Sequence, residues 1–339
     1  MRAMVLKEYG APLVLERRPV PEPGPGEAVI RVRACGLCGT DLKIRAGKLP
    51  GTRVPVTMGH EPAGEVVSVG PGAEGIEVGD RVLAHFYVTC GRCEFCRTNR
   101  ESICRDIVGR VGFELDGGYA DYLRLPAGSF LRLAPGISFE QGAILGDAVG
   151  TAYHALLRRG GLAPGETALV MGVGGVGLHV IQVARAMGAR TVAVDRVPAK
   201  LDLAKKIGAD HLVQYDKRYE QQVMDVLGGD RPHVIVETVG TPETVEANIR
   251  LLRAGGRLVI VGYLPGSTFQ VDPLAALLDE VSILGSRACT KQDLRAVIDM
   301  VARGVVEPVI TRRFALEEVN YAFDELAADR ILGRAVVVP

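Results

Sequence analysis

The stretch that decides the fold of this 339-residue chain reads Ala168-Leu169-Val170-Met171-Gly172-Val173-Gly174-Gly175-Val176-Gly177. Its first four residues are apolar and predict a buried strand, and the helical spacing of apolar residues from Val176 onward predicts a helix that ends at Gly188. Glycines at 172, 174, 175 and 177 permit a tight turn and let the backbone approach a pyrophosphate at the helix N-terminus. The stretch therefore predicts a dinucleotide site, against the alternative of a glycine-rich turn without a ligand.

The next strand supplies an acidic residue that favours one kind of dinucleotide. Asp195 ends this strand, and its carboxylate is placed to accept hydrogen bonds from the adenosine ribose hydroxyls. Because its charge would repel a 2′-phosphate, NAD is favoured over NADP. Arg196 follows directly and would weaken that preference.

The strands predicted around this motif define a fold class. Short apolar runs at 168–171, 191–195, 211–213, 233–237, 257–262 and 281–285 alternate with helical segments. This alternation predicts an α/β Rossmann domain, which is a doubly wound parallel sheet. The first third instead shows short β-branched runs bounded by Pro and Gly, which predict a β-rich unit. Helices at 292–303 and 316–328 and a strand at 335–338 follow the sheet.

Four cysteines crowd into the lobe at about 88–105. Cys90, Cys93, Cys96 and Cys104 have the spacing C-x2-C-x2-C-x7-C, which fits a closed tetrahedral site for a structural zinc ion. An iron–sulfur cluster is the rival, but its bacterial pattern has a last gap of three residues followed by Pro. Unmetallated thiols are a further alternative. Cys35 and Cys289 are interpreted as small hydrophobic residues.

Charge and hydropathy exclude several classes of partner. The 40 basic residues balance 40 acidic ones, so no overall field attracts nucleic acid or an anionic membrane. The N-terminal residues carry charges and lack an apolar core of the kind found in secretory signals. No apolar stretch approaches the ~20 residues that span a bilayer. We expect a cytoplasmic protein whose partner is a small molecule.

Two further short motifs carry candidate catalytic residues. Cys38 lies in Gly36-Leu37-Cys38-Gly39-Thr40-Asp41, and His60 lies in Gly59-His60-Glu61-Pro62. Each motif alone is weak. Together with the cysteine lobe and the glycine-rich turn, in this order and over essentially the whole chain, they resemble the zinc-dependent medium-chain alcohol dehydrogenase family.

The resemblance implies a catalytic zinc site. Cys38 and His60 match two ligands of that zinc, and Asp147 falls where the third ligand is expected. Glu61 matches a neighbouring acid that approaches the metal during exchange of substrate and water. The alternative for Asp147 is an N-cap, because it directly precedes the helical run 148–159.

The resemblance also assigns roles around the substrate and the cofactor. Thr40 matches a hydroxyl that binds the substrate oxygen and starts a proton relay, and Lys43 occupies the outer relay position, where His is common. Asp41 matches the carboxylate that orients the zinc-bound His. The remaining positions implied are Thr151 at the nicotinamide end, Phe86 in the substrate pocket and Arg334 at the pyrophosphate.

The implied protein is an NAD-dependent alcohol dehydrogenase with two zinc ions per chain, one catalytic and one structural. Its GroES-like catalytic domain covers 1–150 and 289–339, and its Rossmann domain covers 151–288. Strands around 281–285 often pair between subunits in this family, so a homodimer or homotetramer is expected. The alternatives are a polyol, sugar or amino-alcohol dehydrogenase with the same machinery, and a non-catalytic binding protein that keeps the fold.

Overall fold

Turn-rich strands near both ends of the chain belong to one unit, and the alternating strands and helices between them belong to a second. A computed structural model describes all 339 residues. The first unit comprises Met1–Asp147, Cys289–Arg303 and Ile310–Pro339, and the second comprises Ala148–Ala288 and Gly304–Val309. The sequence-based borders lie close to these, except that 304–309 was expected in the first unit.

The first unit begins with ten strands and three helices. The strands are β1 (Arg2–Leu6), β2 (Val14–Arg17), β3 (Glu27–Leu37), β4 (Val56–Thr57), β5 (Glu61–Val69), β6 (Arg81–Ala84), β7 (Tyr87–Val88), β8 (Gly109–Arg110), β9 (Tyr122–Pro126) and β10 (Phe130–Arg132). The helices are α1 (Gly39–Arg45), α2 (Glu94–Arg97) and α3 (Phe139–Ile144), with 3-10 turns at Glu101–Ile103 and Ala127–Ser129.

The second unit alternates strands with helices, as its apolar runs predict. Its helices are α4 (Gly150–Tyr153), α5 (Gly177–Ala186), α6 (Pro198–Lys206), α7 (Tyr219–Val226), α8 (Pro242–Leu251) and α9 (Pro273–Leu278). Its strands are β11 (Thr167–Met171), β12 (Arg190–Asp195), β13 (His211–Gln214), β14 (Val234–Glu237), β15 (Arg257–Ile260) and β16 (Ser282–Gly285).

The chain then returns to the first unit. It forms α10 (Lys291–Ala302), β17 (Ile310–Ala315), a 3-10 turn at Leu316–Glu318, α11 (Val319–Ala327) and β18 (Arg334–Val338). No helix combines the length and the apolar character that crossing a bilayer requires.

The long strand β3 organises the first unit. It lies in a sheet of order β10-β6-β5-β3-β18-β17, and β9 also pairs with it. Its pairing with β5 is antiparallel and sets Cys35 opposite Pro62 and Gly36 opposite Glu61. This register brings the end of β3 beside the start of β5, so that residues just beyond the two strands become neighbours.

The second unit contains the doubly wound sheet that the sequence predicts. Its six strands have the order β13-β12-β11-β14-β15-β16, and every pairing is parallel. The order reverses between β11 and β14, and ligands of such sheets bind at that switch point, beyond the carboxyl ends of the strands. The Rossmann fold class is confirmed.

The predicted ends of the helices beside the glycine-rich turn agree with the structure to within one or two residues. The helix after the glycine-rich turn ends before Gly188, which has a φ of +75°, and the following helix begins at Pro198. Glycine accepts this left-handed conformation without a Cβ clash, which is why it ends helices so often.

Candidate metal centre and dinucleotide site

The register of β3 and β5 assembles two of the expected zinc ligands. Cys38 lies directly after β3 and is the N-cap of α1, and His60 directly precedes β5. Gly36 pairs with Glu61, so the two side chains start from adjacent strands at the same edge of the sheet. Both are buried.

Asp147 reaches the same place from a helix whose geometry changes at that point. The helical segment begins at Phe139, capped by the Ser138 side chain, and turns from α to π geometry over Leu145–Val149. Asp147 therefore lies inside a continuous helix, and the alternative reading as an N-cap is wrong. Single π turns are rare and occur frequently at functional sites.

Four potential ligand atoms converge in this buried cluster. The side chains of Cys38, His60, Glu61 and Asp147 each offer one atom, and these atoms all lie within 4.8 Å of one another. Asp147 Oδ2 is 3.4 Å from Cys38 Sγ and 4.0 Å from His60 Nε2. His60 Nε2 is also 3.7 Å from Glu61 Oε1.

The other ring nitrogen of His60 is already engaged. His60 Nδ1 lies 3.0 Å from Asp41 Oδ1, and Asp41 Oδ2 accepts the backbone N–H of Cys38 at 3.0 Å. A hydrogen on Nδ1 satisfies the carboxylate and leaves the Nε2 lone pair directed into the cluster, which is the usual arrangement of a metal-binding histidine.

Arg334 occupies a place that the sequence did not predict. Its guanidinium is buried, donates to Glu61 Oε1 and lies 3.1 Å from Asp147 Oδ2. It is thus engaged with the two carboxylates of the ligand cluster, whereas the resemblance implies a pyrophosphate-binding residue. The pyrophosphate role stays a prediction.

The two carboxyl groups of the cluster differ in acidity. Burial raises the pKa of Glu61 well above its usual value, although Arg334 opposes the shift. Burial acts in the same direction on Asp147, but Arg334 and His60 outweigh it and bring the pKa of Asp147 below its usual value. Asp147 is the carboxylate that is held ionised, as a metal ligand must be.

The donor set fits a zinc ion. A tetrahedral zinc with Zn–S of about 2.3 Å and Zn–O of about 2.0 Å separates sulfur and oxygen ligands by about 3.5 Å, close to the Cys38–Asp147 distance of 3.4 Å. Glu61 Oε2 is buried and has no hydrogen-bond partner. This oxygen lies against Gly36, whereas Glu61 Oε1 is the oxygen that faces His60 Nε2.

The cysteine lobe fits a second zinc ion. Four of its sulfur pairs are separated by 3.9 Å (Cys90–Cys96), 3.6 Å (Cys93–Cys96), 3.8 Å (Cys93–Cys104) and 3.5 Å (Cys90–Cys104). A tetrahedral Zn–S₄ centre places its sulfurs about 3.8 Å apart. Backbone N–H groups of Cys96 and Arg105 lower the pKa of Cys93 to about 6, so this thiolate forms readily.

The glycine-rich turn has the shape that a pyrophosphate requires. Gly172 has a φ of +88°, and a Cβ on Gly177 would lie 2.0 Å from the Gly172 carbonyl oxygen. In contrast, a Cβ on Gly174 would meet nothing within 4 Å, so the outer face of the turn is open to a ligand. Val176 is the N-cap of α5, and His179 Nδ1 lies 2.6 Å from the Gly175 carbonyl oxygen.

Asp195 lies beside this turn at the carboxyl end of β12. Its Oδ2 accepts the Val173 N–H at 2.7 Å, and its Oδ1 accepts the Val197 N–H at 2.9 Å. Each carboxylate oxygen has a second acceptor position, which remains for a ribose hydroxyl. Arg196 is exposed, and Thr151 is buried in α4.

The predicted relay residues lie on one short helix next to the metal cluster. Thr40 and Lys43 are both half-buried in α1, which begins directly after Cys38. Burial lowers the pKa of Lys43, and the nearby Cys38 thiolate opposes the shift.

Aromatic rings form a wall beside His60. The Phe86 ring centroid lies 5.4 Å from that of His60, and the Phe113 ring centroid lies 5.5 Å from it. Both rings meet the imidazole edge-on. The place of Phe86 in a substrate pocket stays a prediction. The sequence analysis missed Phe113, which no local motif distinguishes from other apolar residues. It also missed Tyr119, whose hydroxyl is 2.8 Å from Asp41 Oδ2.

Two family models match the chain. The model of an alcohol dehydrogenase GroES-like domain matches residues 24–135, and the model of a zinc-binding dehydrogenase matches residues 175–303.

Curated relatives match the full length of the chain. An alcohol dehydrogenase of Geobacillus stearothermophilus is 35% identical over 99% of both chains. An NAD-dependent alcohol dehydrogenase of Sulfurisphaera tokodaii is 32% identical over 100% of both chains. An acryloyl-coenzyme A reductase of Metallosphaera sedula is also 32% identical, over 99% of both chains.

Solved structures superpose on the whole chain as well. The crystal structure of a protein named AibC matches with a TM-score of 0.94 at 37% identity, and the match covers 100% of this chain and 96% of the AibC chain. The alcohol dehydrogenase of the archaeon Aeropyrum pernix has a TM-score of 0.92 at 34% identity, with 100% of both chains covered.

Proposed function

The chain belongs to the zinc-dependent medium-chain dehydrogenase family, and from this membership we propose that it transfers a hydride between a small alcohol and NAD. The observation that carries the proposal is the buried convergence of Cys38, His60 and Asp147, with Glu61 beside them as a fourth potential ligand that Arg334 engages. Three protein ligands with one open position are typical of a catalytic zinc, whereas a structural zinc has four.

Each residue of the cluster has a separate task in this proposal. Cys38, His60 and Asp147 would hold the zinc, which acts as a Lewis acid and lowers the pKa of the substrate hydroxyl. Thr40 would accept the hydroxyl proton and pass it outward, with Lys43 as the outer relay group. Asp41 keeps His60 in the tautomer that binds metal. Arg334 holds Glu61 beside the metal position.

The second unit would bind the cofactor. The open face at Gly174 would receive the pyrophosphate at the N-terminus of α5. Asp195 would accept the ribose hydroxyls and disfavour NADP, and the exposed Arg196 would moderate that preference. Thr151 would contact the nicotinamide end.

The wall beside His60 favours apolar alcohols over polyols. Phe86 and Phe113 offer rings and no hydrogen-bonding groups to a substrate next to His60. A polyol or sugar would leave its extra hydroxyl groups unpaired against these rings, which costs free energy. In a panel of alcohols read by the absorbance of reduced nicotinamide, benzyl and short aliphatic alcohols should therefore exceed sorbitol in kcat/KM.

The full-length match to an acryloyl-coenzyme A reductase supports a second candidate function, the reduction of an unsaturated thioester. The zinc cluster discriminates between the two, because the alcohol reaction depends on the metal. Turnover of acryloyl-coenzyme A that exceeds turnover of every alcohol, and that survives loss of the catalytic zinc, would favour this second function.

The main test replaces Asp147 with Asn. The amide nearly preserves shape but is a much poorer zinc ligand than a carboxylate. Asp147→Asn should keep the fold and the lobe zinc, fall from two zinc ions per chain towards one, and lose alcohol oxidation. Asp121→Asn is the matched control, because Asp121 pairs with Arg2 and belongs to neither zinc cluster. Two zinc ions and near-normal turnover in Asp147→Asn would refute the assignment.

We further propose that the protein assembles as a homodimer or homotetramer through the β16 edge of the second unit. β16 pairs only with β15, so one of its edges is open. Beside it in the chain, α9 exposes Leu274, Leu277 and Leu278 by 63%, 69% and 69%. Open strand edges and clustered exposed leucines are typical of an interface between copies. Sedimentation at micromolar concentration should give a multiple of the chain mass.

A cytoplasmic location is part of the same proposal. None of the seven cysteines forms a disulfide, and zinc–thiolate sites together with cysteines outside disulfides are typical of reducing compartments.

A further inference from the structure

The hydroxyl of Tyr119 is buried beside Asp41, the carboxylate that faces the metal-cluster residue His60. The side chain is fully buried, and Oη lies 2.8 Å from Asp41 Oδ2 and 3.2 Å from the Gly36 carbonyl oxygen. Burial, and next to it the Asp41 charge, raises the pKa of Tyr119 well above its usual value. The phenol therefore keeps its proton and donates it.

Asp41 connects this hydroxyl to two of the three proposed ligand residues, Cys38 and His60. Its Oδ2 accepts from the Cys38 N–H as well as from Tyr119, and its Oδ1 faces His60 Nδ1 at 3.0 Å. The carboxylate is fully buried and sits at the third position of α1, where it completes a capping box. A rotation of this one carboxylate would release the imidazole and the start of α1 together.

Tyr119 is held rigidly with respect to His60. Its backbone N–H donates to the Met58 carbonyl at 2.9 Å, and its own carbonyl accepts from Met4 at 2.8 Å. Its ring packs so closely against Gly59, the residue before His60, that a Cβ there would lie 2.7 Å from Tyr119 Cδ1. The hydroxyl is thus a fixed point from which Asp41 is oriented.

We propose that Tyr119 is a positioning residue of the catalytic zinc site, whose hydroxyl locks the Asp41 carboxylate and through it the metal-binding tautomer of His60. The inference rests on the proposed zinc-binding role of Cys38 and His60. Tyr119 does not touch the metal, and its effect passes through Asp41. Loss of a direct hydrogen-bond partner of a metal-binding histidine typically changes metal affinity 10- to 100-fold, and Tyr119 orients such a partner, Asp41.

The test is Tyr119→Phe, which removes the hydroxyl and keeps the ring against Gly59. Competition with a zinc chelator should show that the site formed by Cys38, His60 and Asp147 loses about tenfold or more in affinity, whereas the four-cysteine site is unchanged. Cobalt in the catalytic site should show an altered visible spectrum. The control is Tyr122→Phe, because the Tyr122 hydroxyl bonds only to the Arg31 side chain; this variant should match the wild type.

A double-mutant cycle with Asp41→Asn separates positioning from packing. If Tyr119 acts through Asp41, the second substitution adds little to the first, and the effects on zinc affinity are strongly non-additive. Additive effects, an equal loss of lobe zinc, or a catalytic zinc affinity within twofold of wild type would each overturn the inference. A wild-type protein that binds only the lobe zinc would refute the proposed function itself, which keeps the two failures distinct.

Discussion

Replacement of Asp195 by Asn tests cofactor choice. The hydrogen bonds of Asp195 in the structure also indicate how much stability the replacement costs. Both carboxylate oxygens accept backbone N–H groups, from Val173 at 2.7 Å and from Val197 at 2.9 Å. The Asn amide keeps one oxygen that accepts from one of these N–H groups. Its NH₂ group faces the other N–H and cannot accept a hydrogen bond from it. One buried hydrogen bond to a charged group is lost, which costs about 2 kcal/mol of unfolding free energy.

The effect on the cofactor has a different origin. The carboxylate charge disfavours a 2′-phosphate, so Asp195→Asn should raise the ratio of kcat/KM for NADP over NAD by about tenfold, or about 1.4 kcal/mol. Initial rates with both cofactors measure the ratio, and chemical denaturation measures the stability. These two readouts separate ribose recognition from support of the glycine-rich turn.

Asp210→Asn is the matched control. Asp210 precedes β13, at the opposite end of the sheet from Asp195, and a single oxygen of its carboxylate accepts from Thr191 N–H and Oγ1. The amide can keep both bonds, so neither stability nor the cofactor ratio should change much. If Asp195→Asn loses stability while its ratio of kcat/KM for NADP over NAD stays at the wild-type value, then Asp195 supports the glycine-rich turn and does not bind the ribose hydroxyls. Wild-type preference for NADP would refute the reasoning at once.

Two further predictions concern the metal lobe and the second unit. Cys96→Ser should lose the lobe zinc and lower the melting temperature, while the fraction that stays folded turns over alcohol; normal melting without turnover would contradict a structural role. Glu166 pairs with Arg257 at 2.7 Å, and this hydrogen bond lowers the pKa of Glu166 below 4.5. The ion pair therefore stabilises the folded protein while Glu166 is ionised, and this stabilisation is lost as the pH falls and the carboxylate is protonated. Glu166→Gln should therefore cost about 1 kcal/mol at pH 7 and progressively less as the pH falls through the lowered pKa of Glu166, in denaturant titrations; a cost independent of pH would exclude the ion pair as its source.

Local patterns account for the parts of the protein that were predicted correctly. Periodicity and backbone preferences over a few residues predict the order of strands and helices and the glycine-rich turn. They also predict that one helix ends before Gly188 and that the next begins at Pro198. The four-cysteine lobe needs only 15 residues of chain, and its sulfurs do converge at 3.5–3.9 Å.

Other features required the folded chain. The sequence left Asp147 either as a ligand or as a helix N-cap. The structure excludes the N-cap, because the helix that begins at Phe139 continues through Asp147. Arg334 lies 187 residues from Asp147 in the chain and is brought to it by β18, which pairs with β3. Phe113, which packs against His60, and Tyr119, which bonds to Asp41, both lie in a loop that carries no motif of its own.

The sequence by itself determined the fold class, the glycine-rich turn and the spacing of the four-cysteine lobe, because each depends on chemistry that neighbouring residues provide. The tertiary structure alone decided how the catalytic site is supported. The register of β3 against β5, the π turn at Asp147, the Arg334 pairing and the Tyr119–Asp41 hydrogen bond join residues that are distant in the chain. Such contacts arise from the packing of whole strands and helices, which no short stretch of sequence specifies.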